Sequence, residues 1–183
     1  MNFEFKHKLS MISLGMVMLF SCQNSYEEVN KVSGNELQPY AESFDTEIIY
    51  SEKGKKNSRL LSEHIQRFNA GDTVWTEMPK GLQAYFYDSI GRLESTMKAD
   101  YGLWLEERGT VYAEKDVIIT NVKGEQLNTE KLTWYQDSGI FVTREFVKIT
   151  QPTGVIYGNG LRAKQNFEEY EIMEITGNIA VEE

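Results

Sequence analysis

Gly109, Gly124, Gly139 and Gly154 stand at a constant step of 15 residues, and each closes a short polar stretch. Glycine supplies the positive φ that tight hairpins need. A step of that length suits a strand of about ten residues plus a turn. Four such glycines in a row point to an antiparallel meander. Further turn signals at Gly54, Gly71 and Gly91 carry the same punctuation toward the N-terminus.

The runs between the turns agree. TEIIYS, LQAYFYD, DVIITNV, KLTWYQD, GIFVTREFVKIT, GVIYG and YEIMEIT are rich in Ile, Val, Tyr, Thr and Phe, and several alternate with polar residues at period 2. No stretch of a dozen residues carries an apolar stripe at helical spacing. Only SRLLSEHIQRF leaves a short helix in competition with a strand. The expectation is an all-β domain over residues 45–180.

A second repeat runs through GRLESTMKADYGLWL, GEQLNTEKLTWYQD and GVIYGNGLRAKQNFEEY. In each, a turn glycine leads into apolar residues and then a small residue: Ser95, Thr129 or Gly158. Ala99, Leu132 or Ala163 follows a few positions on, and the register slips between copies. Stacked hairpins of this kind present an inner face of alternating small and large residues. Such a face is either filled by its own side chains or left open as a groove.

Before Thr46 the chain is different. Lys6 and Lys8 form a short basic region, and an apolar stretch follows from Leu9 to Phe20. That stretch is too short for a membrane span of roughly 20 residues and has the length of a signal-peptide core. Leu19-Phe20-Ser21-Cys22 then resembles the lipobox of a bacterial lipoprotein, and Cys22 is the only cysteine in the chain. We therefore expect residues 1–21 to be a lipoprotein signal peptide and Cys22 to carry acyl chains such as palmitate. More than one chain is needed for stable anchoring. Residues 22–44 are polar and acidic, with Gly34 and Pro39, and read as a tether. Fully extended, it reaches about 70 Å.

Composition narrows the functional classes. The formal net charge is −9, which repels phosphate backbones and argues against nucleic-acid binding. With one cysteine there is no internal disulfide, so the fold rests on its core. Of the two histidines, His7 lies in the leader, which leaves His64 alone: too few for a histidine-rich metal site, and a count that argues against a Ser/His or Cys/His catalytic set. His64 reads as an ordinary strand residue. Among 28 acidic residues some pair always has a suggestive spacing, so no catalytic residue, metal ligand or cofactor is assigned.

Order and spacing across the domain carry a resemblance. Gly124, Leu127, Thr129, Leu132 and Trp134 are followed by Val142, Thr143, Val147 and Ile149, and then by Gly158, Gly160, Leu161 and Ala163. This resembles the LptC family of lipopolysaccharide export, in its Bacteroidetes lipoprotein form, and the wider pattern of OstA-like and LptA-like β-jellyrolls. The resemblance covers about Thr46 to Ala180. It implies a non-enzymatic, single twisted antiparallel β-jellyroll of two facing sheets around an apolar groove. Lipopolysaccharide acyl chains would pass through that groove. The Lpt inner-membrane ABC transporter would deliver them, and an LptA-like periplasmic protein would receive them by edge-strand pairing. Better-known members begin with a transmembrane helix where this chain has a lipobox. The implied location is periplasm-facing and lipid-anchored, at the inner membrane in preference to the outer, a choice that the lipobox in place of the helix leaves open.

Alternation assigns candidate inward positions. Leu82, Ala84 and Phe86 share a face, as do Val117 and Ile119, Leu132 and Trp134, Val147 and Ile149, and Tyr170 and Ile172. These residues line either a groove or a closed core, and alternation does not separate the two. Trp75, Trp104 and Trp134 read as core or rim. The strands near Glu47–Tyr50 and Glu171–Thr176 are candidate free edges. A competing reading is a carbohydrate-binding or adhesion β-sandwich lipoprotein.

Overall fold

The computed structural model describes residues 37–52 and 54–180. The expected signal peptide, Cys22 and the expected tether as far as residue 36 lie outside the described residues. Eleven strands follow in chain order: β1 (Ala41–Glu52), β2 (Lys55–Ala70), β3 (Thr73–Met78), β4 (Leu82–Tyr87), β5 (Leu93–Ala99), β6 (Tyr101–Leu105), β7 (Thr110–Asn121), β8 (Gln126–Tyr135), β9 (Ile140–Gln151), β10 (Gly154–Lys164) and β11 (Tyr170–Ala180). All join one antiparallel sheet. Among the described residues no helix is long and apolar enough to cross a membrane.

The meander set by the glycine step is present: β7 to β11 pair in succession. Gly109, Gly124 and Gly139 occupy their turns at positive φ. The segment SRLLSEHIQRF is strand throughout. Its backbone is held by β1 along one side and by β3 and β4 along the other, so tertiary pairing overrides the helical option. Strand β3 goes beyond the runs singled out in the sequence, because TVWTEM is short and half polar, while β5 and β6 fall within the repeat copy GRLESTMKADYGLWL. β1 begins at Ala41, inside the stretch read as tether, where Ala41 to Phe44 pair in register with His64 to Arg67.

Each long strand is bent midway. β4 lies against Ser58 to Leu61 of β2, and β3 against Gln66 to Ala70. β6 lies against Thr110 to Glu114 of β7, and β5 against Ile118 to Asn121. Thus β3 and β4 are halves of one bent strand, and so are β6 and β5. The bends align into a fold line marked by left-handed backbone at Asp45 (φ 48°), Gly81 (φ 87°), Lys115 (φ 65°), Asp116 (φ 48°) and Gly160 (φ 70°). Register shifts fall on the same line in β7–β8, β8–β9 and β9–β10. Bulges of this kind are how a sheet turns a corner.

The sheet therefore folds onto itself. A first layer holds β4, β5 and the strand halves beside them, and a second layer holds β3, β6 and the remaining halves. The two facing sheets of the expected β-jellyroll are two halves of one. The apolar core lies between them. Phe86 of the first layer meets Trp134 and Phe141 of the second, at ring-centroid distances of 4.9 and 5.3 Å.

Candidate functional site

The interior between the layers is built from the alternating residues. Leu82, Ala84, Phe86, Val117, Ile119, Leu132, Trp134, Val147 and Ile149 are buried in one continuous apolar core. Tyr170 and Ile172, on the terminal strand β11, are half-buried and pack against it. The two ends of the sheet thus differ from its middle, where the wall is covered on both flanks.

Further inward residues escaped the alternation argument. Leu60, Ile65, Met78, Met97, Val111, Phe141 and Leu161 also belong to the core. In β2 the inward set runs Ser58, Leu60 and Ser62 and then shifts to Ile65. In β8 it runs Leu127 and Thr129 and then shifts to Leu132 and Trp134. In β7 and β9 the parity is kept across the bend, from Ala113 to Val117 and from Thr143 to Val147. The fold line consumes an odd number of residues in some strands and an even number in others. This is why the repeat slips between copies and why a strict period of 2 loses half the wall.

The family-motif glycines have separate jobs. Gly124 forms the β7–β8 turn at φ 81°, with open space where a Cβ would stand. At Gly158 a Cβ would lie 2.4 Å from Ile172 Cγ2 and 2.6 Å from the Glu174 carbonyl oxygen. At Gly160, with φ 70°, it would lie 2.7 Å from Met173 Sδ. Gly158 and Gly160 therefore let β11 pair with β10 at close range, with Ile172 over the interior and Met173 on the outer face.

Polar groups inside the wall are mostly paired. Ser62 Oγ donates to the Gly81 carbonyl at 2.8 Å across the fold line, and Thr129 Oγ1 donates to the Phe146 carbonyl at 2.9 Å. Gln151 Nε2 donates to the Tyr170 hydroxyl oxygen at 2.6 Å and to Glu125 at 3.0 Å. Burial, with the Glu125 charge adding to it, holds the Tyr170 hydroxyl above its ordinary range. Trp134 Nε1 and Gln165 Oε1 are buried with no hydrogen-bond partner. Trp104 Nε1 donates to Gln136 at the rim, and Trp75 stacks on Phe68 at 5.4 Å. His64 faces Glu42 at 3.0 Å and stacks on Phe44 at 4.7 Å, as an ordinary strand residue does.

At the ends of the sheet, among the described residues, β1 pairs only with β2 and β11 only with β10. These contain the two edges expected near Glu47–Tyr50 and Glu171–Thr176. Both strands are long for edges, which natural sheets usually keep short or blunt with proline and lysine. Exposed apolar side chains lie along them: Phe44 and Ile49 on β1, and Met173, Ile175 and Ile179 on β11.

The model of one protein family, described as Lipopolysaccharide-assembly, LptC-related, matches residues 9–179. No curated protein matches the chain.

Proposed function

The chain belongs to the LptC family and has a role in lipopolysaccharide transport, and from that premise we propose that it is a non-enzymatic conduit for acyl chains. The interior between its layers takes lipopolysaccharide from the inner-membrane ABC transporter and passes it to an LptA-like bridge. The supporting observation is the continuous apolar wall, running from Leu60 on β2 through Phe86, Ile119, Trp134 and Ile149 to Leu161 on β10, with half-buried Tyr170 and Ile172 at its end. Acyl chains need such a wall, and sugars outside it stay in water.

The free edges of β1 and β11 supply the handover. Strand addition to an unpaired edge continues the sheet through main-chain hydrogen bonds, and so continues the interior from one protein into the next. Cys22, acylated, holds the domain on the membrane while residues 23–40 set its reach. The transporter's ATPase supplies the work.

The test is photocrosslinking in cells from Phe86 and Ile149 replaced by a photoreactive amino acid. The reading expects adducts with lipopolysaccharide, lost when the transporter is depleted. Retention on polysaccharide without any acyl-chain adduct would favour the carbohydrate-binding β-sandwich instead.

A further inference from the structure

The loop of residues 165–169 between β10 and β11 does more than connect two strands. The hairpin is already closed by the Lys164 amide donating to the Glu169 carbonyl at 3.0 Å. The residues inside that closure leave the second layer and cross to the first. The Gln165 amide donates to the Gly139 carbonyl at 2.8 Å, on the β8–β9 turn. Ser95 Oγ, on β5, donates to the Gln165 carbonyl. Gln165 Nε2 donates to Asn57 Oδ1 on β2 at 3.2 Å. Asn121 Nδ2, at the end of β7, donates to the Phe167 carbonyl at 3.2 Å. Lys123 Nζ lies 2.9 Å from Glu168 Oε1. The loop is strapped across the mouth between the layers, opposite the fold line.

At its centre Phe167 is fully buried, with φ 54°. A bulky aromatic residue in left-handed backbone is strained, and persists only where its surroundings over-determine it. The ring is part of the apolar core and stacks on Tyr170 at 5.1 Å. Beside it, Gln165 Oε1 is buried without a partner, a second stored cost. Outside the strap lies a cleft of about 350 Å³ in which Leu93 and Val122 are the apolar lining, the other lining residues, Lys123 and Glu168 included, being charged or amide side chains. Leu93 is 40 % exposed and Val122 64 % exposed. Two exposed apolar side chains, set among charged and amide residues, thus stand beside a strained, buried aromatic ring.

We propose that loop 165–169 is a latch over a lateral entrance, and that Phe167 occupies the place of an acyl chain. This rests on the reading of the interior as a conduit. A chain resting on Leu93 and Val122 enters as the loop lifts and Phe167 leaves the core. The polar contacts given up are replaced by water. The Lys123–Glu168 pair is solvent-exposed and weak. The one large loss is the burial of the Phe167 ring, and the incoming methylene groups restore it. Relief of the left-handed backbone favours the exchange.

Stopped-flow fluorescence with dansyl-undecanoic acid and the full chain tests this. Glu168→Lys turns the ion pair into a repulsion without touching the core, and Phe167→Ala removes the ring that fills the site. Both variants should bind the probe about fivefold faster than wild type or more, and Phe167→Ala should also bind it more tightly. Binding by wild type with unchanged rates in Glu168→Lys and Phe167→Ala overturns the latch alone. No binding by wild type or either variant overturns the conduit reading, and the latch with it. Should Phe167→Ala fail to fold, the Glu168→Lys rate decides.

Discussion

Phe86 on β4 meets Trp134 on β8 edge to face, with ring centroids 4.9 Å apart and planes at 81°. The two residues belong to opposite layers, so their contact measures how firmly the folded sheet is held shut. Both are inward positions of the proposed conduit, which makes the same contact structural and functional. Truncating Phe86 to Ala should cost about 3–5 kcal/mol of stability, as for other buried aromatic residues. Urea denaturation followed by tryptophan fluorescence reads this directly, and a cost under about 1 kcal/mol would mean that the layers part easily there.

Gly158 and Gly124 should respond differently to the same substitution. Gly124→Ala meets open space and costs only the left-handed backbone, about 1 kcal/mol. Gly158→Ala drives a methyl group against Ile172 and the Glu174 carbonyl, and one of these partners is backbone that has to move. We expect about 2–3 kcal/mol, in the range of overpacking strain. Hydrogen exchange should show the loss concentrated in β11 for Gly158→Ala and in the β7–β8 turn for Gly124→Ala.

Glu94 sits beside the latch with its carboxyl held above the ordinary value of 4.5, by burial first and then by the charges of Asp88 and Glu168. A raised pKa means that the folded state binds this proton more tightly than the unfolded chain does. Its contribution is therefore full below 4.5 and is lost as pH rises through the folded value. Glu94→Gln removes that loss. Thermal melts should find the variant more stable than wild type near neutral pH, with the difference closing as pH falls toward 4.5. A gap that stays constant across this range would mean that the carboxyl does not titrate abnormally.

Cys22→Ser tests the proposed anchor. The variant should lose acyl labelling and leave the membrane fraction, while purified protein keeps the β circular-dichroism spectrum of wild type, since no described strand involves residue 22. Membrane association unchanged in the variant would overturn lipid anchoring.

Much of this was legible in the residue order. The glycine step announced β7 to β10 because a hairpin's turn conformation is a local property, decided by a residue with no Cβ. The faces of β4 and of the outer halves of β7 and β9 followed from period 2 because each is uninterrupted between bends. The rest failed at one place. Across the fold line Ser62 to Ile65 and Thr129 to Leu132 change parity, and nothing local in LLSEHI or LNTEKL marks the residue at which the corner falls. Phe167 was hidden too, because QNFEEY is polar around it and a lone aromatic residue in a turn has no period.

The sequence by itself determined that the chain is all-β, where its hairpins turn, and which residues alternate toward an interior. These depend on contacts between near neighbours in the chain and on side-chain size. Only the tertiary structure decided that one sheet folds onto itself, that Phe86 faces Trp134, that β1 and β11 are the free ends, and that loop 165–169 crosses the mouth. These depend on pairings between distant strands, where the energy of closing the layers selects among registers that the local signals leave equal.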